Sequence, residues 1–188
     1  IGMNVGITSL FYASKKEVEK VFSFEPFLPT YNMALNNIKL NKSFSEKMQA
    51  NNFGLAKEEG KMTIPYSLKE KGRMGLNGVP AKSSIANLGV TQQDIFLKPV
   101  AQQFDKIKAQ VTANFVVCKM DCEGAEYEIV DSLFTSGLLS LPDVYFIEWH
   151  HKSPEGIISS LVKSNFNVIG TTFKGKKAGM IYAVKNSV

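Results

Sequence analysis

Three residues of this 188-residue chain, Asp121, Glu148 and His150, have the types and positions to move a proton or hold a metal ion. Asp121 ends the apolar run Phe115-Val116-Val117-Cys118-Lys119-Met120, and Glu148 ends Val144-Tyr145-Phe146-Ile147. Charged groups are seldom buried without a partner, so an acid at such a boundary stands out. Glu148-Trp149-His150-His151 also contains both histidines and the only tryptophan. Alternation along an extended strand puts Glu148 and His150 on one side and His151 on the other. An imidazole, with an unperturbed pKa of about 6.5, suits proton uptake near neutral pH, which makes His150 the first choice of base. A divalent ion held by Asp121 and Glu148 is the other route, since it would lower the pKa of a hydroxyl. Glu126 and Glu128, in the first turn of the helix after Asp121, are read as complements to its dipole.

A second group lies near the start. Gly2-Met3-Asn4-Val5-Gly6 precedes a helix, and alternate glycines let a backbone turn sharply and approach a ligand near free helix N–H groups. The third glycine of the dinucleotide fingerprint would fall at Ser9, so that motif is incomplete. Glu25, nineteen residues after Gly6, ends the strand Val21–Phe24 and can accept two hydrogen bonds from a ribose diol.

The elements that must position these groups alternate. Helical spacing over Gly6–Lys16 places Ile7, Leu10, Phe11 and Ser14 on one face, with lysines at the C-terminal end. Pro29 and Thr30 open a second helix with Tyr31, Ala34, Leu35 and Ile38 on one face. Leu55-Ala56 and Met62-Thr63-Ile64 read as short strands around a turn, Ile95-Phe96-Leu97 as another, and Gln103–Gln110 as a helix. Residues 67–95 form a loop or cover insertion, poor in apolar periodicity over 67–90. Phe115–Met120, apolar on both faces, is expected to be a central parallel strand, followed by a helix with Ile129, Val130 and Leu133 inward. Val144–Ile147 is the next central strand, and Pro154–Ser164 a helix with Ile157, Ile158, Leu161 and Val162 apolar. Phe166–Phe173 and Met180–Val184 close the chain as an antiparallel hairpin.

The order implies one α/β domain over residues 1–188, an open doubly wound, mostly parallel sheet with a C-terminal antiparallel hairpin. All four motifs sit where strands give way to helices, the ligand side of such a sheet. A nicotinamide-binding fold would continue with parallel crossovers instead of a reversed strand.

Composition narrows the class. The chain is 44% hydrophobic and 21% charged, ordinary for a globular protein, and no apolar run approaches the ~18 residues of a membrane span. The net charge of +5 comes from residues 39–82, with nine Lys/Arg against four Asp/Glu. No aromatic interleaving or known module accompanies them, so nucleic acid is not the expected partner. Cys118 and Cys122 are too few and too close for a disulfide framework or zinc site, and fit a reducing, cytoplasmic setting.

Five stretches together carry a resemblance: Ile1-Gly-Met-Asn-Val-Gly6, Phe24-Glu-Pro26, Asn36-Asn-Ile-Lys-Leu-Asn41, Lys119-Met-Asp-Cys-Glu-Gly-Ala-Glu126, and the strand end at Glu148. In this order they resemble the FkbM-family methyltransferases, over nearly the whole chain and least over 67–95. Gly54-Leu55-Ala56 with Gly60 is similar to that family's third-strand region. The resemblance implies a class I (Rossmann-like) methyltransferase sheet, S-adenosylmethionine as methyl donor, and O-methylation of a sugar, glycolipid or natural-product hydroxyl. It also implies that Gly2, Asn4 and Gly6 line the methionine end of the donor, Glu25 its ribose, Leu55 its binding surface, and Asp121 the transferring methyl. The family pattern has an acidic residue and a first strand ahead of Ile1, so that strand is expected to come from outside these residues. The competing readings are a nicotinamide-dependent oxidoreductase and a non-catalytic nucleotide-binding or interaction module.

Overall fold

The glycine-rich start folds as a tight turn. Gly2, Asn4 and Gly6 take positive φ values of 77°, 51° and 84°, and the Met3 N–H donates to the Phe24 carbonyl at 2.8 Å. This is a computed structural model, and it describes residues 1–67, 69, 75, 89–170 and 177–186. The chain forms two compact units: residues 1–54 with 59–97, and residues 55–58 with 98–188.

In the first unit, Gly6 caps α1 (Ile7–Ala13). The buried side of α1 is Ser9, Leu10 and Ala13, while Ile7 and Phe11 are exposed, which corrects the expected face. Close packing explains it. A Cβ on Gly6 would lie 3.3 Å from that of Ala34, so only small side chains fit on that side. Ser9, where the fingerprint glycine would stand, accepts a hydrogen bond from the Ser23 hydroxyl at 2.9 Å. The helix ends before Lys15 and Lys16, which therefore lie beyond its last turn.

Next come β1 (Val21–Phe24), α2 (Leu28–Leu40), the short α3 (Lys42–Ser45) and β2 (Met48–Asn51). β2 runs parallel to β1, from Val21↔Met48 to Phe24↔Asn51. Thr30, Ala34 and Ile38 form the buried stripe of α2, and Thr30 shares a 2.8 Å hydrogen bond with the Tyr66 hydroxyl. After β3 (Gly54–Ala56), β4 (Gly60–Tyr66) pairs antiparallel with β5 (Thr91–Pro99). β5 is longer than the expected 95–97, so residues 91–95 are strand and not cover; most of 67–90 lies outside the described residues.

The second unit begins its regular structure with α4 (Val100–Lys108), three residues earlier than expected because Pro99 sets its N-cap. Then follow β6 (Val117–Asp121), α5 (Glu126–Thr135), β7 (Val144–His150), α6 (Glu155–Lys163), β8 (Phe166–Gly170) and β9 (Ala178–Lys185). The sheet order is β6-β7-β9-β8. β6 and β7 are parallel, and β9 is antiparallel to both β7 and β8. The closing hairpin and its reversed strand are thus present as the sequence implied.

Met120, Tyr145, Ile147, Trp149, Ile181 and Ala183 share one buried face of this sheet, and Ile129 and Leu133 of α5 and Ile157 and Leu161 of α6 are buried as well. Each large aliphatic side chain so buried contributes about 1.5–3 kcal/mol. The strand β6 is outermost in this sheet and buries one face only, Cys118 and Met120; Val117 lies on the other, and it and the preceding Phe115 are exposed where burial on both faces was expected. Both cysteines are free. No described helix is long and apolar enough to cross a membrane.

Candidate active site

In the second unit the parallel register sets Asp121, the last residue of β6, directly beside Glu148 of β7. His150 follows two positions along β7, on the same face as Glu148, and its Nε2 lies 3.8 Å from Glu148 Oε1. The strand continues past Glu148 because β9 pairs with it as far as His150↔Ala178. His151 leaves the strand with φ 67°, its N–H donating to the Lys177 carbonyl at 2.7 Å.

The turn joining β6 to α5 supplies two further acids. Glu123 and Gly124 adopt φ values of 52° and 112°, which folds residues 122–125 tightly onto the start of α5. Glu126, fully buried, turns back into that fold. Its Oε1 accepts from the Cys122 N–H at 2.9 Å and lies 3.0 Å from His150 Nδ1, while Oε2 accepts from the Gly124 N–H at 2.9 Å. The expectation that Glu126 only complements the helix dipole is therefore corrected. Glu128 meets the Lys57 N–H at 2.7 Å. Glu126 thus engages Nδ1 of His150, and Nε2 is the end of the ring left for chemistry.

That end faces acids. Glu123 Oε2 is 3.7 Å from Nε2, and ligand atoms of Asp121, Glu123 and His150 all lie within 4.8 Å of one another. The Lys119 ammonium pairs with Asp121 Oδ2 at 2.8 Å. The hydrogen bond to Glu126 raises the His150 pKa against the opposing pull of burial, and burial raises that of the Glu123 carboxyl. Tyr127 of α5 fixes the backbone here, its hydroxyl 3.0 Å from the His150 carbonyl and 2.7 Å from that of Lys152.

The structure brings together the expected Asp121, Glu148 and His150, and sets beside them Glu123 and Glu126, which the sequence reading did not place in the cluster. The available signal was Gly124, a glycine just ahead of the helix that lets the chain fold back.

In the first unit, Glu25 follows β1 and is buried at 6% exposure. Its Oε2 accepts from the Asn4 N–H at 2.9 Å and its Oε1 from the Phe27 N–H at 3.1 Å. Burial nonetheless pushes its pKa up to about 7. A carboxylate has roughly four acceptor positions, and these two donors leave it under-satisfied. Asn4 also accepts from the Val5 N–H through its own Oδ1 at 2.8 Å, which holds the glycine turn in shape. Leu55 belongs to the second unit, where it is buried at 3% exposure.

The methyltransferase FkbM domain model matches residues 1–168. This chain belongs to the FkbM methyltransferase family. The FkbM fold is also found in the crystal structure, at 2.20 Å resolution, of a methyltransferase FkbM from Methylobacillus flagellatus KT. That protein is 16% identical, with a TM-score of 0.56, over 97% of this chain and 41% of its own. The present FkbM chain thus spans about two-fifths of that relative's length. No curated protein matches the sequence.

Proposed function

We propose that this FkbM chain is an S-adenosylmethionine-dependent methyltransferase acting on a hydroxyl of a small-molecule or glycan acceptor. The observation that carries the reading is the Glu25 cradle: a buried carboxylate, short of hydrogen-bond donors, at the end of a strand beside a glycine turn. Two ribose hydroxyls are donors of the kind it lacks, so the residues present fit the nucleoside of the proposed donor. Gly2 and Gly6 keep the turn free of side chains, and Asn4 presents its N–H to Glu25.

S-adenosylmethionine supplies a methyl group already activated on a sulfonium. In the overall step the S–CH3 bond breaks, an O–CH3 bond forms, and the sulfur leaves as a neutral thioether. The hydroxyl proton must go elsewhere, and the group of Asp121, Glu148 and His150 is the part proposed to receive it. The hydroxyl acceptor is proposed from the resemblance to FkbM-family methyltransferases.

Calorimetric titration separates this reading from the nicotinamide-dependent alternative. S-adenosylmethionine should bind and nicotinamide dinucleotides should not. Glu25→Ala should weaken binding by roughly 1.5–3 kcal/mol, the scale of a hydrogen bond to a charged group. Unchanged affinity in a folded Glu25→Ala protein would remove the assignment.

A further inference from the structure

We propose that the second unit holds a divalent cation between Asp121, Glu123 and Nε2 of His150, with Glu126 fixing the histidine from behind. This deepens the proposed function, since the same cluster was assigned to the acceptor's proton.

Three observations converge. The first is proximity: one ligand atom from each residue falls within 4.8 Å of the others, a span that one ion can bridge. The second is the histidine itself. Its side chain is only 9% exposed, and Nε2 has no hydrogen bond among the described residues, its nearest carboxylate oxygens standing at 3.7 and 3.8 Å. An imidazole nitrogen on a largely buried ring, facing two acids just beyond hydrogen-bond reach of both, has the spacing of ligands to a shared cation. The third is the far side of the ring, where Nδ1 is hydrogen-bonded to the Glu126 carboxylate at 3.0 Å. Metal-binding histidines characteristically donate their other N–H to a carboxylate, which fixes the tautomer and strengthens the ligand.

Charge points the same way. Four carboxylates surround this one imidazole, and among the described residues the lysine paired with them is Lys119, on Oδ2 of Asp121, which leaves the other Asp121 oxygen available. Two carboxylate oxygens and one imidazole nitrogen form a donor set suited to Mn2+, Fe2+ or Zn2+. Glu148, 42% exposed and outside this ligand set, would then be the carboxylate left to take the acceptor's proton. The proposed ligand set therefore differs from the Asp121 and Glu148 pair expected from the sequence, with Glu123 and His150 joining Asp121.

The test uses Mn2+ itself. Protein dialysed against chelator is titrated with Mn2+ while electron paramagnetic resonance follows the free ion, and S-adenosylmethionine binding is measured on the same sample. One Mn2+ per chain is expected, with nitrogen hyperfine coupling from the imidazole. Glu123→Gln and Asp121→Asn should each weaken binding at least tenfold, and His150→Ala should remove the nitrogen coupling. Should His150→Ala fail to fold, Glu123→Gln carries the test, because that side chain is not part of the Glu126 hydrogen-bond network. Absence of Mn2+ binding, or binding unchanged in folded Glu123→Gln, overturns the proposal. Loss of S-adenosylmethionine binding with Mn2+ binding intact would strike the proposed function instead.

Discussion

Glu25 is the residue whose ionisation should be felt by the whole first unit. Its pKa is raised from an ordinary 4.5 to about 7, so the folded state holds the proton more tightly than the unfolded chain. The contribution is therefore complete below about pH 4.5 and is lost as pH climbs to about 7, by about 3 kcal/mol across that window. Thermal melts between pH 4.5 and 8 should show this decline, and Glu25→Gln should flatten it. If the ribose hydroxyls bind the charged form, nucleoside binding near pH 7 should also release a proton, seen as a binding enthalpy that varies with the buffer's ionisation heat. The clustering of Asp121, Glu148 and His150 was legible at this scale because Asp121 and Glu148 each end an apolar run and His150 stands two residues past Glu148 on the same strand face. Glu126 was not, since an acid in a helix's first turn is ordinary. Its burial is decided by the turn at Glu123 and Gly124, whose positive φ angles bring Cys122 and Gly124 N–H groups within its reach.

Among the elements, two glycines make opposite predictions. Gly179 of β9 stands opposite Trp149 of β7, and a Cβ there would sit 3.0 Å from the indole ring. The ring is fully buried and cannot swing aside, so Gly179→Ala should destabilise the protein by about 1–3 kcal/mol. Gly156 of α6 has nothing within 4 Å of the same position, so Gly156→Ala should stabilise by up to ~1 kcal/mol. Denaturant midpoints for the two variants should move in opposite directions, and a matching loss would mean that Trp149 is not the cause. Elements with strong periodicity, α5, β7 and the closing hairpin, were readable from the sequence. β2 was not, because Met48-Gln49-Ala50-Asn51 is only four residues long with no β-branched or aromatic side chain, and it becomes a strand by pairing with β1. The face of α1 was misread for a related reason: small residues at Gly6, Ser9 and Ala13 mark close packing more strongly than Ile7 and Phe11 mark burial.

For the molecule as a whole, family and fold were the most legible level. Short motifs at strand ends survive in order even where the intervening elements are ambiguous, and the reversed last strand separates this sheet from a purely parallel one. Trp149 gives the chain an optical property that nothing above has used. It is the protein's one tryptophan, 1% exposed, and it immediately precedes the histidine proposed to hold a cation. Excited at the red edge of protein absorption, the folded chain should therefore emit as a single, blue-shifted indole, moving to the red when the second unit unfolds. Mn2+ is paramagnetic, so an ion seated at His150 should dim that emission in proportion to occupancy, and Mg2+ should not. A fluorimeter can then count filled sites in the unlabelled protein, with no acceptor needed and before any substrate has been found.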